Sequence, residues 1–219
     1  MKDKTILVTG ATGKQGGAVA RHLLKADFQV KVITRHKRSE KAQALQRQGA
    51  ELIEADLTDK NSLEQAMQKV DGVFSVQNFW AEGGGFEGEI QQGKNLADVA
   101  KQAGVSHYVQ STMAEADSFY GVEHFQSKQA IEQYIDQIGL PRTFIGTVYF
   151  MDNLLDPQMG GAMSFPVLSG SLKRDTRFQM MAVDDIGGIV STVFQQPDRF
   201  IGQRINVAGD CLTVSQMKA

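Results

Sequence analysis

The chain has 219 residues, 42% of them hydrophobic, and a net charge of −2, which is enough apolar mass for one sizeable core and too little charge to give a broad basic field for nucleic acid or an anionic membrane surface. One cysteine, Cys211, precludes an intramolecular disulfide framework and suits a reducing compartment. Met1-Lys2-Asp3-Lys4 runs straight into a strand without the apolar core of a secretory leader, and no apolar run is long enough to span a bilayer, so the expectation is a soluble cytoplasmic protein.

The first element is the apolar, β-branched run Thr5–Thr9. It breaks into Gly10-Ala11-Thr12-Gly13-Lys14-Gln15-Gly16-Gly17, and helix-forming sequence follows over Lys14–Ala26. Strand, glycine-rich turn and helix in that order make the pattern a dinucleotide-binding signal. Gly10 lets the chain turn sharply, Gly13 lets the backbone approach a pyrophosphate, and Gly16 lets helix and sheet pack closely. Backbone N–H groups at the positive end of the helix would then hold the phosphates. The plainer alternative is an ordinary tight turn, since 22 glycines produce such spacings by chance.

The second strand, Gln29–Thr34, ends on Arg35-His36-Lys37-Arg38. An NAD-selective fold places an acidic residue about 20 positions past the glycine turn, where it binds the ribose 2′-hydroxyl. Here that place, 19 positions after Gly16, holds Arg35, with Lys37 and Arg38 behind it. A guanidinium grips a 2′-phosphate that a carboxylate would repel, so NADP(H) is expected over NAD(H). A solvated basic loop is the alternative.

Strand candidates continue at Glu51–Glu54, Gly72–Val76, His107–Ser111 and Arg142–Gly146. The helix candidates are Glu40–Gln48, Asn61–Val70, Phe86–Ala103 and Gly121–Ile138. Asp59 and Ser62 are candidate caps, and Gly104 and Gly139 stand where helices should stop. The alternation implies right-handed crossovers and a parallel sheet. After Gly146 it fails: residues 151–203 read as irregular, with Pro157, Gly160-Gly161 and Pro166 among them. A short strand is expected near Ile205–Val207 and the first turns of a helix over Thr213–Ala219. Two units are expected, residues 1–150 binding the dinucleotide and 151–219 forming a small, shortened substrate-side region.

With these residues laid out, the chain resembles the NmrA-like family of atypical short-chain dehydrogenase/reductases over nearly its whole length. The segments that carry the resemblance are Val8 to Gly17, Val32 to Arg35, Gln77-Asn78-Phe79-Trp80, Gln92 to Asp98, His124-Phe125-Gln126-Ser127-Lys128, Phe150 to Leu154 and Val183 to Gly187. The resemblance implies an α/β Rossmann fold with a doubly wound parallel sheet and a small, irregular C-terminal region. It implies NADP(H) contacts at Gly10, Ala11, Thr12, Gly13, Lys14, Gln15 and Gly16, at Arg35, Lys37 and Arg38, and at Asp56 and Leu57 beside the adenine. Further contacts would come from Gln77, Asn78, Phe79, Lys128, Phe150, Met151, Asp152 and Asn153. Two departures concern the substrate side: family members often carry Arg-Pro after the sixth strand, where this chain reads Ile145-Gly146-Thr147-Val148, and the family's further C-terminal helices are not expected within these 219 residues.

Typical short-chain dehydrogenases set Tyr-x-x-x-Lys on one helical face, with a serine on the preceding strand. Lys128 and Ser111 match, but His124 stands at the tyrosine position, and Tyr120 lies four residues further back. Tyrosine-driven alcohol–ketone chemistry is therefore not expected. One reading is an NADPH-dependent reductase of a quinone-like or dye-like acceptor, with His124 donating a proton or polarising an oxygen and Lys128 depressing its pKa. The other is a redox sensor whose partner is a regulatory protein. A helix histidine without chemistry remains the bland alternative, and self-association as a homodimer stays open. Phe79 and Trp80 either wall the nicotinamide pocket or pack as ordinary aromatics. Met151, Met159, Met163, Met180 and Met181 either line an adaptable cleft or fill core. Asp184-Asp185 read as a helix cap, and His22, His36 and His107 lack metal-ligand spacing.

Overall fold

The computed structural model describes residues 3–115, 121–154, 156 and 163–217. Strands and helices alternate as β1 (Thr5–Val8), α1 (Lys14–Lys25), β2 (Gln29–Thr34), α2 (Glu40–Arg47), β3 (Glu51–Glu54), α3 (Lys60–Ala66), β4 (Gly72–Ser75), α4 (Gly85–Gln102), β5 (His107–Met113), α5 (Glu123–Gln137) and β6 (Arg142–Thr147). The chain continues through β7 (Tyr149–Phe150), a 3-10 turn (Met151–Leu154), α6 (Ser164–Ser171), β8 (Phe178–Met181) and α7 (Val183–Gln195). It ends with α8 (Pro197–Phe200), β9 (Arg204–Val207), β10 (Asp210–Leu212) and α9 (Val214–Met217).

Among the described residues, seven strands form one sheet in the order β3-β2-β1-β4-β5-β6-β9, every pair parallel. This is a Rossmann-like arrangement, in which the chain winds outward from β1 in one direction and from β4 in the other. Both central strands are buried throughout because helices cover both faces. Alternation within β1 divides its side chains: Ile6 and Val8 face a cluster with residues of α1, α2 and α7, while Leu7 faces one with residues of α3, α4 and α5. A smaller sheet, β10-β8-β7, is formed by strands that follow β6 in the chain.

Local chemistry accounts for most boundaries. Ser39 caps α2 by accepting from Ala42 N, and Asp59 caps α3 by accepting from Asn61 N at 3.0 Å. Ser62 does not cap; its hydroxyl bonds Asp59 O at 2.8 Å and accepts from Asp56 N. Gly104 and Gly139 take positive φ at helix ends, as expected. Helix α3 stops before the expected Val70, and Lys69 is left-handed at φ 56°. Helix α5 starts at Glu123 because Gly121, at φ 83°, lies outside it.

The expectation of irregular chain over 151–203 is corrected by α7. Its sequence, with Gly187-Gly188 and four β-branched residues in the last nine, has poor intrinsic helix propensity. Packing overrides it: α7 lies on α1 so closely that a Cβ on Gly187 would come within 2.6 Å of Ala18 O. Asp184 and Asp185 sit in its first turn, but Ala182 holds the cap position. Helix α7 and strand β9 therefore build the main layers together with residues 1–150.

His107 lies buried in β5, next to Phe194 and a cavity of about 20 Å3. Thr143 donates to Phe200 O at 2.7 Å, so the imidazole donates Nε2–H to Thr143 Oγ1 at 2.8 Å, leaving Nδ1 without a partner among the described residues. Burial, with a smaller push from Lys4, brings its pKa down to about 4. Above about pH 6.5 both folded and unfolded chains hold the ring neutral. Between there and about pH 4 only the unfolded chain takes up the proton, so acidification costs stability, by up to roughly 2–3 kcal/mol. Urea unfolding at pH 7 and 4.5 should show this loss in the wild type and a smaller one in His107→Gln; equal losses would contradict the assignment.

Candidate functional site

The end of β1 is pinned to the end of β4 by one hydroxyl. Thr9 Oγ1 donates to Val76 O at 2.9 Å and accepts from Val76 N at 2.8 Å. Between these strands the winding direction reverses, and ligands of open α/β sheets bind in the crevice at their carboxyl ends. Gly10 turns at φ 60°, and Gly13 N closes the turn on Gly10 O at 2.9 Å. A Cβ on Gly16 would lie 2.4 Å from the backbone of Thr9 and Gly10, so only glycine lets α1 start this close to the strand. Gly13 is the N-cap of α1, yet no side chain caps the helix. Its first N–H groups are thus open to an anion, and Gly13 and Lys14 are exposed. These residues fit a dinucleotide pyrophosphate.

The turn is tied to its surroundings on two sides. Gln15 Oε1 accepts from Ser111 Oγ on β5 at 2.7 Å, so the expected catalytic serine supports the turn. Lys14 Nζ pairs with Asp156 at 2.5 Å and bonds Asn153 Oδ1 at 3.0 Å, linking the turn to the segment after β7. Asp152, expected as a cofactor contact, commits one carboxylate oxygen to Val183 N at 2.9 Å, satisfying the start of α7. Phe150 pairs with Met181 in the smaller sheet and packs on the core, and Met151 is half-buried beside it.

On the β2 side, Arg35 and Arg38 are exposed and Lys37 is half-buried. Asp56 accepts from Thr58 N at 2.8 Å and Thr58 Oγ1 at 2.7 Å. The Thr58 backbone bond leads in holding its carboxyl below the usual range, with the Arg35 charge adding to it. Leu57 packs on the second core cluster, and its carbonyl accepts from Asn95 Nδ2 at 2.9 Å. A groove of about 270 Å3 continues from Ala11, Thr12, Gly13 and Lys14 to Arg21 and Lys41. Lys41 was not among the expected contacts, because its place on α2 gives no sequence signal.

On the β4 side, Gln77 is buried, donates to Ser75 Oγ at 2.7 Å and accepts from Gln110 Nε2 at 3.0 Å. Asn78 is exposed and Phe79 half-buried. Lys128 is almost wholly buried, with Nζ 2.7 Å from Glu89 Oε1 and 3.4 Å from Gln77 O. Glu89, fully buried, also accepts from Ser127 Oγ at 2.5 Å. Sequence reading missed Glu89, since a lone glutamate near a helix start looks like a solvated charge. His124 contacts the rings of Phe79, Trp80 and Phe125. Burial first and then the Lys128 charge lower its pKa, against an opposing effect of Glu89. The expected direction holds, but burial outweighs the lysine. Met180 and Met181 are core, whereas Met163 is exposed. Tyr120 and Met159 lie outside the described residues. Among the described residues there is no cluster suited to a metal ion and no helix long and apolar enough to cross a membrane.

Two curated relatives cover most of the chain. An NmrA-like family domain-containing protein of Dictyostelium discoideum is 30% identical over 98% of this chain and 75% of its own length. The NmrA-like family domain-containing oxidoreductase lnaB of Aspergillus flavus is 32% identical over 99% of this chain and 71% of its own. Among solved structures, NmrA, a negative transcriptional regulator in complex with NADP, superposes with TM-score 0.81 at 23% identity, over 99% of this chain and 69% of that one. Triphenylmethane reductase of Citrobacter sp., complexed with NADP(H), gives 0.78 at 23%, over 97% and 73%. The NADPH-dependent quinone oxidoreductase of Escherichia coli gives 0.79 at 24%, over 97% and 72%. The model of the NmrA-like family matches residues 2–219, and the chain belongs to that family.

Proposed function

We propose that the protein is an NADP(H)-dependent reductase of quinone-like or otherwise conjugated small molecules. The observation that carries this reading is the sequence of groups along the carboxyl ends of neighbouring strands. Arg35 follows β2, the uncapped start of α1 follows β1, Gln77 follows β4, and Ser111 lies near the end of β5. Arg35 offers paired charge-assisted bonds to a 2′-phosphate. The first N–H groups of α1 would receive the pyrophosphate, and Lys128, held by Glu89, would contact the nicotinamide side. The bound reduced nicotinamide supplies the hydride. His124, whose lowered pKa keeps it neutral at pH 7, can polarise an acceptor oxygen through a ring N–H. The dye and quinone reductases with this fold support the acceptor class. Cys211, a free exposed thiol, suits a cytoplasmic setting.

One observation favours a second reading, in which the protein reports the NADPH/NADP+ balance to a protein partner. Histidine stands where a tyrosine acid would be, and the regulator with this fold is described with NADP and with NAD. Loss of NADPH absorbance on adding small quinones separates the two, with Gly13→Asp protein as the blank. Turnover above that blank is the result expected of a reductase. No turnover in protein that binds NADPH would favour the sensor.

A further inference from the structure

Trp80 is the only tryptophan of the chain and is 79% exposed, so it does not pack as core. Leaving an indole in water forfeits the burial that usually rewards this side chain. Its loop is nevertheless held by hydrogen bonds from backbone and side chains. Asn78 Oδ1 accepts from Trp80 N at 3.1 Å, Phe79 O from Gly85 N at 2.7 Å, and Ala81 O from Gly84 N at 2.9 Å. Gln92 on α4 adds a bond to Gly83 O at 3.3 Å. The indole rests edge-on against Phe79, with centroids 4.8 Å apart, and tilted against His124 at 5.7 Å. Phe79 and His124 in turn meet at 5.1 Å. A held loop thus presents an aromatic surface beside the helix face that carries Lys128.

We propose that Trp80, supported by Phe79 and His124, is the wall on which a planar, conjugated, uncharged acceptor stacks. A flat π-system gains offset-stacking attraction there that a non-planar molecule of the same reactivity does not. Lys128, on the same helix as His124, is already paired with Glu89, and Glu82 and Glu123 lie close to the aromatic residues in sequence, which disfavours an anionic acceptor. The inference rests on the reductase reading for its site and adds to it the residue that selects the acceptor.

Because the tryptophan is unique, its fluorescence reports the contact. In wild-type protein saturated with NADP+, 1,4-naphthoquinone should quench Trp80 saturably, beyond the linear collisional quenching of free N-acetyltryptophanamide. In Trp80→Ala, equilibrium dialysis should show naphthoquinone binding weakened about tenfold or more. The affinity for NADPH should stay unchanged, and Trp80→Phe should recover part of the loss. Linear quenching alone, or an unchanged dialysis result, would overturn the proposal. Saturable quenching without turnover of any acceptor would leave the stacking wall standing and remove the reductase reading. Turnover that is indifferent to Trp80→Ala would do the reverse.

Discussion

Glu89→Leu is expected to destabilise the protein by about 3–5 kcal/mol, because it leaves the Lys128 ammonium buried without its counter-charge. Among the described residues the other contact of Nζ is Gln77 O at 3.4 Å, which cannot replace the carboxylate. For a chain of this length such a loss lowers Tm by roughly 6–20 °C. The double variant Glu89→Leu/Lys128→Met should recover a large part of that stability, since two well-packed apolar side chains often match or exceed a buried ion pair. It should not recover nicotinamide-side binding. A denaturant-unfolding cycle over the two singles and the double measures the coupling directly. A single variant within about 1 kcal/mol of wild type would mean that water reaches the pair, and Glu89 would lose its assigned role.

Gly13→Asp tests the turn in the opposite way, by removing function without removing the fold. At φ −93° and ψ −174° the position is extended backbone that any residue adopts, and an added Cβ meets only Gly10 O at 3.2 Å. Aspartate is moreover a favoured N-cap, so its carboxylate will occupy the N–H groups of α1 that no side chain now caps. Tm should hold or rise, while NADPH affinity falls by about a hundredfold or more through lost charge-assisted bonds and added repulsion. Calorimetric titration beside a thermal scan checks both. Retained affinity in folded Gly13→Asp would place the pyrophosphate elsewhere. Gly16→Ala serves as the contrast, because its Cβ has no room at 2.4 Å from backbone and the fold should weaken first.

The parallel sheet was legible because each strand carries an apolar run and several helices a readable cap or stop, as at Asp59, Gly104 and Gly139; the order of the strands came only from their pairing. Helix α7 was not, since glycines and β-branched residues hide a helix whose formation depends on contact with α1. The places of the glycine turn after β1 and of Arg35 after β2 were readable from local spacing alone. Glu89 and Lys41 were not, because a charge acquires its role from what lies across from it. Lys128 meets Glu89 only when α4 and α5 pack, 39 residues apart in the chain. Asp152 shows the reverse: a residue assigned through resemblance has one oxygen committed to the start of α7.

Titration of the wild-type protein with NADPH and with NADH, repeated on Arg35→Asp, tests the central claim most directly. The account predicts saturable binding at one site per chain, with NADPH tighter than NADH in the wild type and the preference reduced or reversed once the guanidinium becomes a carboxylate. Failure of the wild type to bind either dinucleotide, or a preference for NADPH that survives Arg35→Asp unchanged, would contradict it.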